Sequence, residues 1–207
     1  MTIKLTKYEL RNQQTRLSQF QRYLPTLQLK KAMLQFEVTL VHMEVSRLRD
    51  EMLLTRHQVD LFSPFLLEKV SIDLMHYADV LHVKKRYENI AGVEIPIFDK
   101  VIFQETDYAL FDTPIWTERA TELVREVVTA REKISVAEEK KRALEKELRE
   151  VSIRVNLFEK ILIPRAIANI KKIRIFLGDQ QLAAVAQAKV AKKKIALLRS
   201  SNDRRSP

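Results

Sequence analysis

Apolar side chains in the first third of the chain fall on two interleaved series, each seven residues apart. One runs Ile3, Leu10, Leu17, Leu24, Lys31, Val38, Val45, Met52, Val59, Leu66; the other runs Thr6, Gln13, Phe20, Leu27, Leu34, Val41, Leu48, Thr55, Phe62. Series of this kind are heptad a and d positions, and about nine consecutive repeats predict a long coiled-coil helix. Pro25 and Pro64 interrupt it, and Lys31 is a charged residue on the stripe.

A second array follows in the other half. Trp116, Leu123, Ala130, Ala137, Leu144, Val151 and Phe158 form one series; Ala120, Val127, Ile134, Lys141, Leu148, Val155 and Leu162 form the other. Between them lie Glu/Lys-rich runs such as EEKKRALEKELRE, Glu138 to Glu150, with many i, i+4 pairs of opposite charge. After Pro164 the stripe changes phase, and Ile163, Ile167, Ile170 and Leu177 line up instead. An interior proline costs roughly 3 kcal/mol in a helix. Its coincidence with a phase change predicts a kink or a deliberate break in the seam.

Between the arrays the period changes. NIAGVEIPIFDKVIFQETDYALFDTPIW, Asn89 to Trp116, is β-branched and aromatic, alternates over Val93, Ile95 and Ile97, and contains Pro96 and Pro114. These features predict short edge strands, with Gly92 at the entry and a turn at Asp99 and Lys100. The preceding segment YADVLHVKKRY, Tyr77 to Tyr87, reads equally as a helix end or a partner-docking surface. The expected fold is all-α dominated, a long antiparallel two-helix coiled coil with a short central β-hairpin. Its expected divisions are an N-terminal helix over 1–76, a helix end and hairpin over 77–115, a C-terminal helix with a kink near Pro164 over 116–198, and a basic disordered tail over 199–207.

Composition narrows the function. Only two glycines and no cysteine occur in 207 residues, which excludes a Gly-rich phosphate loop, a thiolate metal site and a cysteine nucleophile. His42, His57, His76 and His82 lack the spacing of a metal-ligating helix, and the Glu138/Glu139 pair sits in a solvated charged face. No catalytic residue, cofactor site or metal site is expected. No apolar run approaches the roughly 20 residues that cross a bilayer, nor does the N-terminus read as a signal peptide.

The net charge of +10 is concentrated near the end, where Lys189, Lys192, Lys193, Lys194, Arg199, Arg204 and Arg205 face only Asp203. A solvated helix end is the plain interpretation. Nucleic-acid phosphates or acidic lipid would also suit the charge, although aromatic residues for base stacking are absent from Gly178 onward.

Several segments resemble one family. LTKYEL (Leu5 to Leu10), KKAML (Lys30 to Leu34) and NIAGVEIPIF (Asn89 to Phe98, with Gly92, Val93 and Pro96) are similar to segments of the D subunit of the vacuolar- and archaeal-type rotary ATPases. Most specific is RVNLFEKILIPRAIANIKKI, where Arg154, Val155, Asn156, Leu157, Glu159, Ile163, Pro164, Ile170 and Ile173 follow the family pattern. Tyr23 and Pro25 depart from it.

The resemblance implies a non-catalytic central-stalk rotor that carries torque between an ATP-handling hexamer and an ion-translocating membrane ring. Its terminal ends would enter the bore of a hexamer of catalytic and regulatory A and B subunits. There Arg154, Asn156, Glu159, Pro164, Arg165, Lys192, Lys193 and Lys194 would form the kink and the bore contacts. The hairpin region would bind the small F subunit of the stalk, and the far end would dock on the funnel-shaped C/d subunit on the ring. The implied location is cytoplasmic and peripheral to the membrane, without direct nucleotide binding or membrane insertion. The alternative is a coiled-coil scaffold or adaptor with a basic nucleic-acid-binding tail.

Overall fold

The computed structural model describes residues 3–62, 78–104, 114 and 116–203, with side chains to 197. Helix α1 spans Lys7–Phe62, strands β1 and β2 span Val80–Ile90 and Val93–Phe103, and helix α2 spans Trp116–Leu157. A π-helical turn, Phe158–Leu162, joins α2 to helix α3, Ile163–Asp203. The fold is therefore dominated by long helices, with one antiparallel hairpin between them.

Thr6 starts α1. Its hydroxyl accepts the Glu9 backbone N–H at 3.2 Å, and its carbonyl accepts that of Leu10. Thr-x-x-Glu is the capping-box spacing, which satisfies orphan donors in the first turn. The Glu9 carboxylate reaches forward, accepting from the Gln13 amide at 2.7 Å. That bond lets polar Gln13 occupy a buried seam position.

The heptad reading of α1 holds from Leu10 to Val59, whereas Thr6 is exposed, and the Phe62 side chain, Pro64 and Leu66 lie outside the described residues. Every a and d residue from Leu10 to Val59 is buried or half-buried. Lys31 is half-buried, and Lys141 extends its stem toward Glu145, 3.8 Å away, rather than ending in the seam. Pro25 lies inside α1 without ending it; the neighbouring Thr26 hydroxyl donates to the Tyr23 carbonyl at 2.8 Å.

By compactness the chain divides into two units: Leu29–Ser152, and Met1–Gln28 with Ile153–Pro207. In the central unit Leu34 and Leu144 are fully buried and Val41 and Val151 nearly so. Cross-helix ion pairs set the direction: Lys30–Glu147 at 2.7 Å, Glu44–Lys140 at 3.0 Å and Arg49–Glu138 at 2.6 Å. As α1 numbers rise, α2 numbers fall, so the helices run antiparallel. In the terminal unit Phe20 meets Phe158 edge to face at 5.4 Å, and Val155, Ala166, Ile170 and Ile173 are buried.

The hairpin differs from the sequence expectation in its turn. Ile90 pairs with Val93, leaving Ala91 and Gly92 as a two-residue loop with φ of 51° and 81°. Positive φ at both central positions is what a type I′ turn requires. Asn89 completes it by accepting the Gly92 N–H at 2.9 Å. Asp99 and Lys100 lie inside β2 instead: Lys84 pairs with Lys100 and Lys85 with Phe98, so Asp99 is the extra residue of a β-bulge. A turn-forming residue type was accommodated by a bulge. Likewise, Val80 to Tyr87 form strand β1 rather than a helix end.

At the other end, α3 continues through Asp203, so residues 199–203 are helical where a disordered tail was expected. Residues 204–207 lie outside the described residues.

Candidate functional site

Two places gather the residues singled out by sequence. The first is the join of α2 and α3. Within the terminal unit the covered series, buried or half-buried, runs Val155, Phe158, Leu162 in heptad phase, then Ala166, Ile170, Ile173, Leu177. Continued heptads would have brought Arg165, Asn169, Lys172 and Phe176 inward. The seam has moved by one residue.

The π turn supplies that residue. The Ile163 N–H donates to the Phe158 carbonyl five residues back, instead of four. Proline explains the location. In a regular α-helix the Pro164 ring would press on the Lys160 carbonyl, and Pro164 has no N–H to satisfy it. Lys160 lies within the π turn, where looser winding relieves the clash. The phase change expected from sequence is present, with one correction. Ile167 is 49% exposed, while Ala166 and Ile173 take the buried places. The expected series shares Ile170 and Leu177 with the observed seam and departs from it at Ile167, one residue beyond the buried Ala166.

Of the remaining expected residues here, Arg154, Asn156, Glu159, Pro164 and Arg165 are all exposed. Arg165 lines a cleft of about 390 Å³ within the terminal unit, together with Lys4, Arg16, Gln13, Phe20 and Leu162. Glu9 also lines it. The Gln13 hydrogen bond, then Asn12 and the positive charges of Arg16 and Lys4, hold its carboxyl below the usual range against a weaker desolvation effect. Lys192, Lys193 and Lys194 are exposed on α3, and the structure does not bring them together with the cleft residues.

The charge imbalance is broader than the tail. The terminal unit holds 18 Lys and Arg against four Asp and Glu, a net of +14, whereas the central unit holds 19 against 23, a net of −4. Sequence inspection found the last few lysines but not this partition, because Lys4, Lys7, Arg11, Arg16 and Arg22 lie at the opposite end of the chain. Pairing all four acids would still leave 14 positive charges.

The second place is the hairpin. Ile95 is fully buried and Pro96 buried, while Gly92 is exposed and Val93 half-buried. Lys85 Nζ donates to the Glu139 carboxylate, and this bond raises the Lys85 pKa despite partial desolvation. Lys133 lies 5.7 Å from the Phe98 ring centre, and Arg125 lies 5.2 Å from that of Phe103. These contacts dock β2 along α2 with opposite direction. At the turn, a Cβ added to Gly92 would stand 3.8 Å from Lys30 Nζ, the lysine already paired with Glu147. Thus the KKAML segment and the NIAGVEIPIF segment meet.

Among the described residues no group of three or more His, Asp or Glu could hold a metal ion, and no helix is long and apolar enough to cross a membrane.

Known proteins resemble this chain over most of its length. The sequence model of the family described as the ATP synthase D subunit matches residues 9–193. The V-type ATP synthase D subunit of Chlamydia abortus is 43% identical over 194 residues, covering 93% of each chain. That of Chlamydia caviae is 44% identical with the same coverage, and that of Borreliella burgdorferi is 40% identical over 197 residues, covering 92% of this chain and 93% of its own.

Proposed function

The chain belongs to the ATP synthase D-subunit family, and from that premise we propose that it is a non-catalytic central-stalk subunit of a rotary ATPase. It transmits torque between an ATP-handling hexamer of A and B subunits and an ion-translocating membrane ring. The terminal unit, with its +14 charge, enters the hexamer bore and meets acidic surfaces there. Arg154, Asn156, Glu159, Arg165 and Lys192 to Lys194 supply contacts along the way. The hairpin-bearing central unit takes the small F subunit of the stalk, and a funnel-shaped C/d subunit links the far end to the ring. The nucleotide chemistry belongs to the hexamer, and the complex is peripheral to the cytoplasmic face of the membrane.

The observation that carries this reading is the one-residue offset at Phe158–Leu162. Torque requires a shaft that presents different faces to three otherwise equivalent interfaces, so that each orientation biases them between open and closed states. A seam displaced at one level redirects every side chain beyond it, which gives a helical pair such unequal faces.

Deleting Lys160 tests this. One residue fewer returns Ala166, Ile170 and Ile173 to heptad phase with the upstream seam, so the helices should still pair and the complex assemble, while ATP-driven rotation slows or loses coupling. Unchanged coupling would refute the proposed role of the offset. Co-purification tests the broader assignment: a chain that never joins an ATPase hexamer and elutes with RNA at low salt is the alternative scaffold with a basic tail.

A further inference from the structure

A second heptad stripe runs along α1 on the side away from α2. Leu29, Met33, Phe36, Leu40 and Met43 follow one another at intervals of four, three, four and three, and they are 63%, 49%, 64%, 40% and 58% exposed. Their positions are the c and f places of a frame in which Lys31, Leu34, Val38, Val41 and Val45 are a and d. In a two-helix coiled coil these are the outermost positions and are ordinarily polar. Five large apolar residues at five consecutive outer positions require an explanation beyond the pairing of α1 with α2.

We propose that this stripe is a docking seam for one amphipathic helix of a partner protein, which extends the central unit's helix pair to a local three-helix bundle. The spacing selects the occupant. A 4-3-4-3 stripe can be followed continuously by another helix with the same repeat, whereas an extended strand has a period of two and falls out of step within one turn. The borders select it further. On one side Ala32, Thr39 and Ser46 are small enough for a second backbone to approach closely. On the other, Glu37 is half-buried and forms no ion pair among the described residues, although its neighbours Lys30 and Glu44 are paired to α2. The partner helix therefore carries an apolar face with a 3–4 spacing and a Lys or Arg placed against Glu37.

The size of the seam fits one element of a larger contact. At roughly 150–250 Å² for a full aromatic side chain, five residues about half exposed present on the order of 500 Å², less than the ~800 Å² per side of a standard interface. Exposed apolar patches of this size commonly mark interaction sites. The seam is continuous with the existing helix pair, because the same turns of α1 carry both stripes.

The proposal rests on the stalk reading only in the choice of complex to examine. A photoreactive benzoylphenylalanine replacing Phe36 in the full chain, co-expressed with the other subunits and irradiated in the purified assembly, reads the occupant directly. The expected product joins Phe36's position to one partner segment with apolar residues at 3–4 spacing and a basic residue within reach of Glu37. Cross-links to strand or loop segments, to lipid or to a second copy of this chain overturn the proposal, as does the absence of any cross-link. Phe36→Glu should lower the stoichiometry of that partner about tenfold with helix content unchanged, and Phe36→Met should retain it. Loss of the hexamer with a helical cross-link retained would sink the stalk reading alone. An intact hexamer with no helix at Phe36 would sink the seam alone.

Discussion

The central and terminal units pair a stretch of α1 with a returning helix, and they handle charge in opposite ways. In the central unit, 23 acids and 19 bases are close to balance, and the ion pairs Lys30–Glu147, Glu44–Lys140, Arg49–Glu138 and Lys85–Glu139 tie α1, α2 and the hairpin together. The terminal unit has the same kind of apolar seam with 18 bases and four acids. The first arrangement satisfies its own charges. The second relies on burial for cohesion and carries a positive charge that its own acids cannot balance.

Core truncations should show the largest effects and test whether both units depend on burial. Leu144→Ala and Ile173→Ala each remove a fully buried side chain, and each should cost about 2–5 kcal/mol in denaturant unfolding. Ile167→Ala should change stability by less than about 0.5 kcal/mol. A large loss at Ile167 and a small one at Ile173 would place the terminal seam in the wrong phase.

Turn geometry comes next and concerns the central unit alone. Gly92→Ala introduces a side chain at a φ of 81° and should destabilise the hairpin by about 1–2 kcal/mol. The effect would be seen as lost amide protection in β1 and β2 ahead of the helices. Ala91→Asn should act in the opposite sense, because asparagine tolerates the left-handed region better than alanine.

Salt should separate the units more gently. Exposed ion pairs contribute roughly 0–1 kcal/mol each, so raising NaCl from about 0.1 to 1 M, with the Debye length falling from about 10 to 3 Å, should scarcely move the melting of the isolated chain. Attachment of the +14 unit to an acidic partner should weaken strongly. Equal salt sensitivity in both measurements would dissolve the electrostatic contrast.

The smallest effects are in pH. The Arg49 hydrogen bond, assisted by its charge and that of Arg142 against a weaker desolvation effect, lowers the Glu138 pKa. Its contribution is therefore present above the ordinary glutamate value and lost as pH falls through the lowered one. Lys85 is raised, so the hairpin clamp holds below the ordinary lysine value and is lost as pH rises through the raised one. Hydrogen exchange or NMR should show α1–α2 loosening at Arg49 in acid and β1 loosening in strong base.

Much of this fold was legible because helix pairing is encoded in a simple period. The residues named a or d from Leu10 to Val59 are all buried or half-buried, and Leu34, Val41 and Val45 are buried hydrophobic residues among them. The hairpin was legible in type but not in turn. Ala91 gave no signal for a left-handed conformation, whereas Asp99 gave a false turn signal that a bulge absorbed. The π turn could be suspected from Pro164, yet its effect depends on which residues downstream find a partner, and that is a tertiary fact. The outer stripe at Leu29 to Met43 was visible in principle. It was masked by the stronger series beside it, because two apolar stripes on one helix look like general hydrophobicity until burial separates them.

The extra residue at Phe158–Leu162 also makes the chain keep count. Substitutions at exposed positions of α2 leave the order of faces untouched, but a one-residue insertion or deletion anywhere between Trp116 and Val155 turns the following stretch by about 100°, as a frameshift alters every codon beyond it. Only a change of opposite sign nearby restores the phase. The π turn is the place where the count is already off by one, so it is also the site at which a compensating deletion can be absorbed. Natural variation in this helix should therefore appear freely as substitutions, while length changes should come in sevens or in offsetting pairs whose second member falls within Phe158–Leu162.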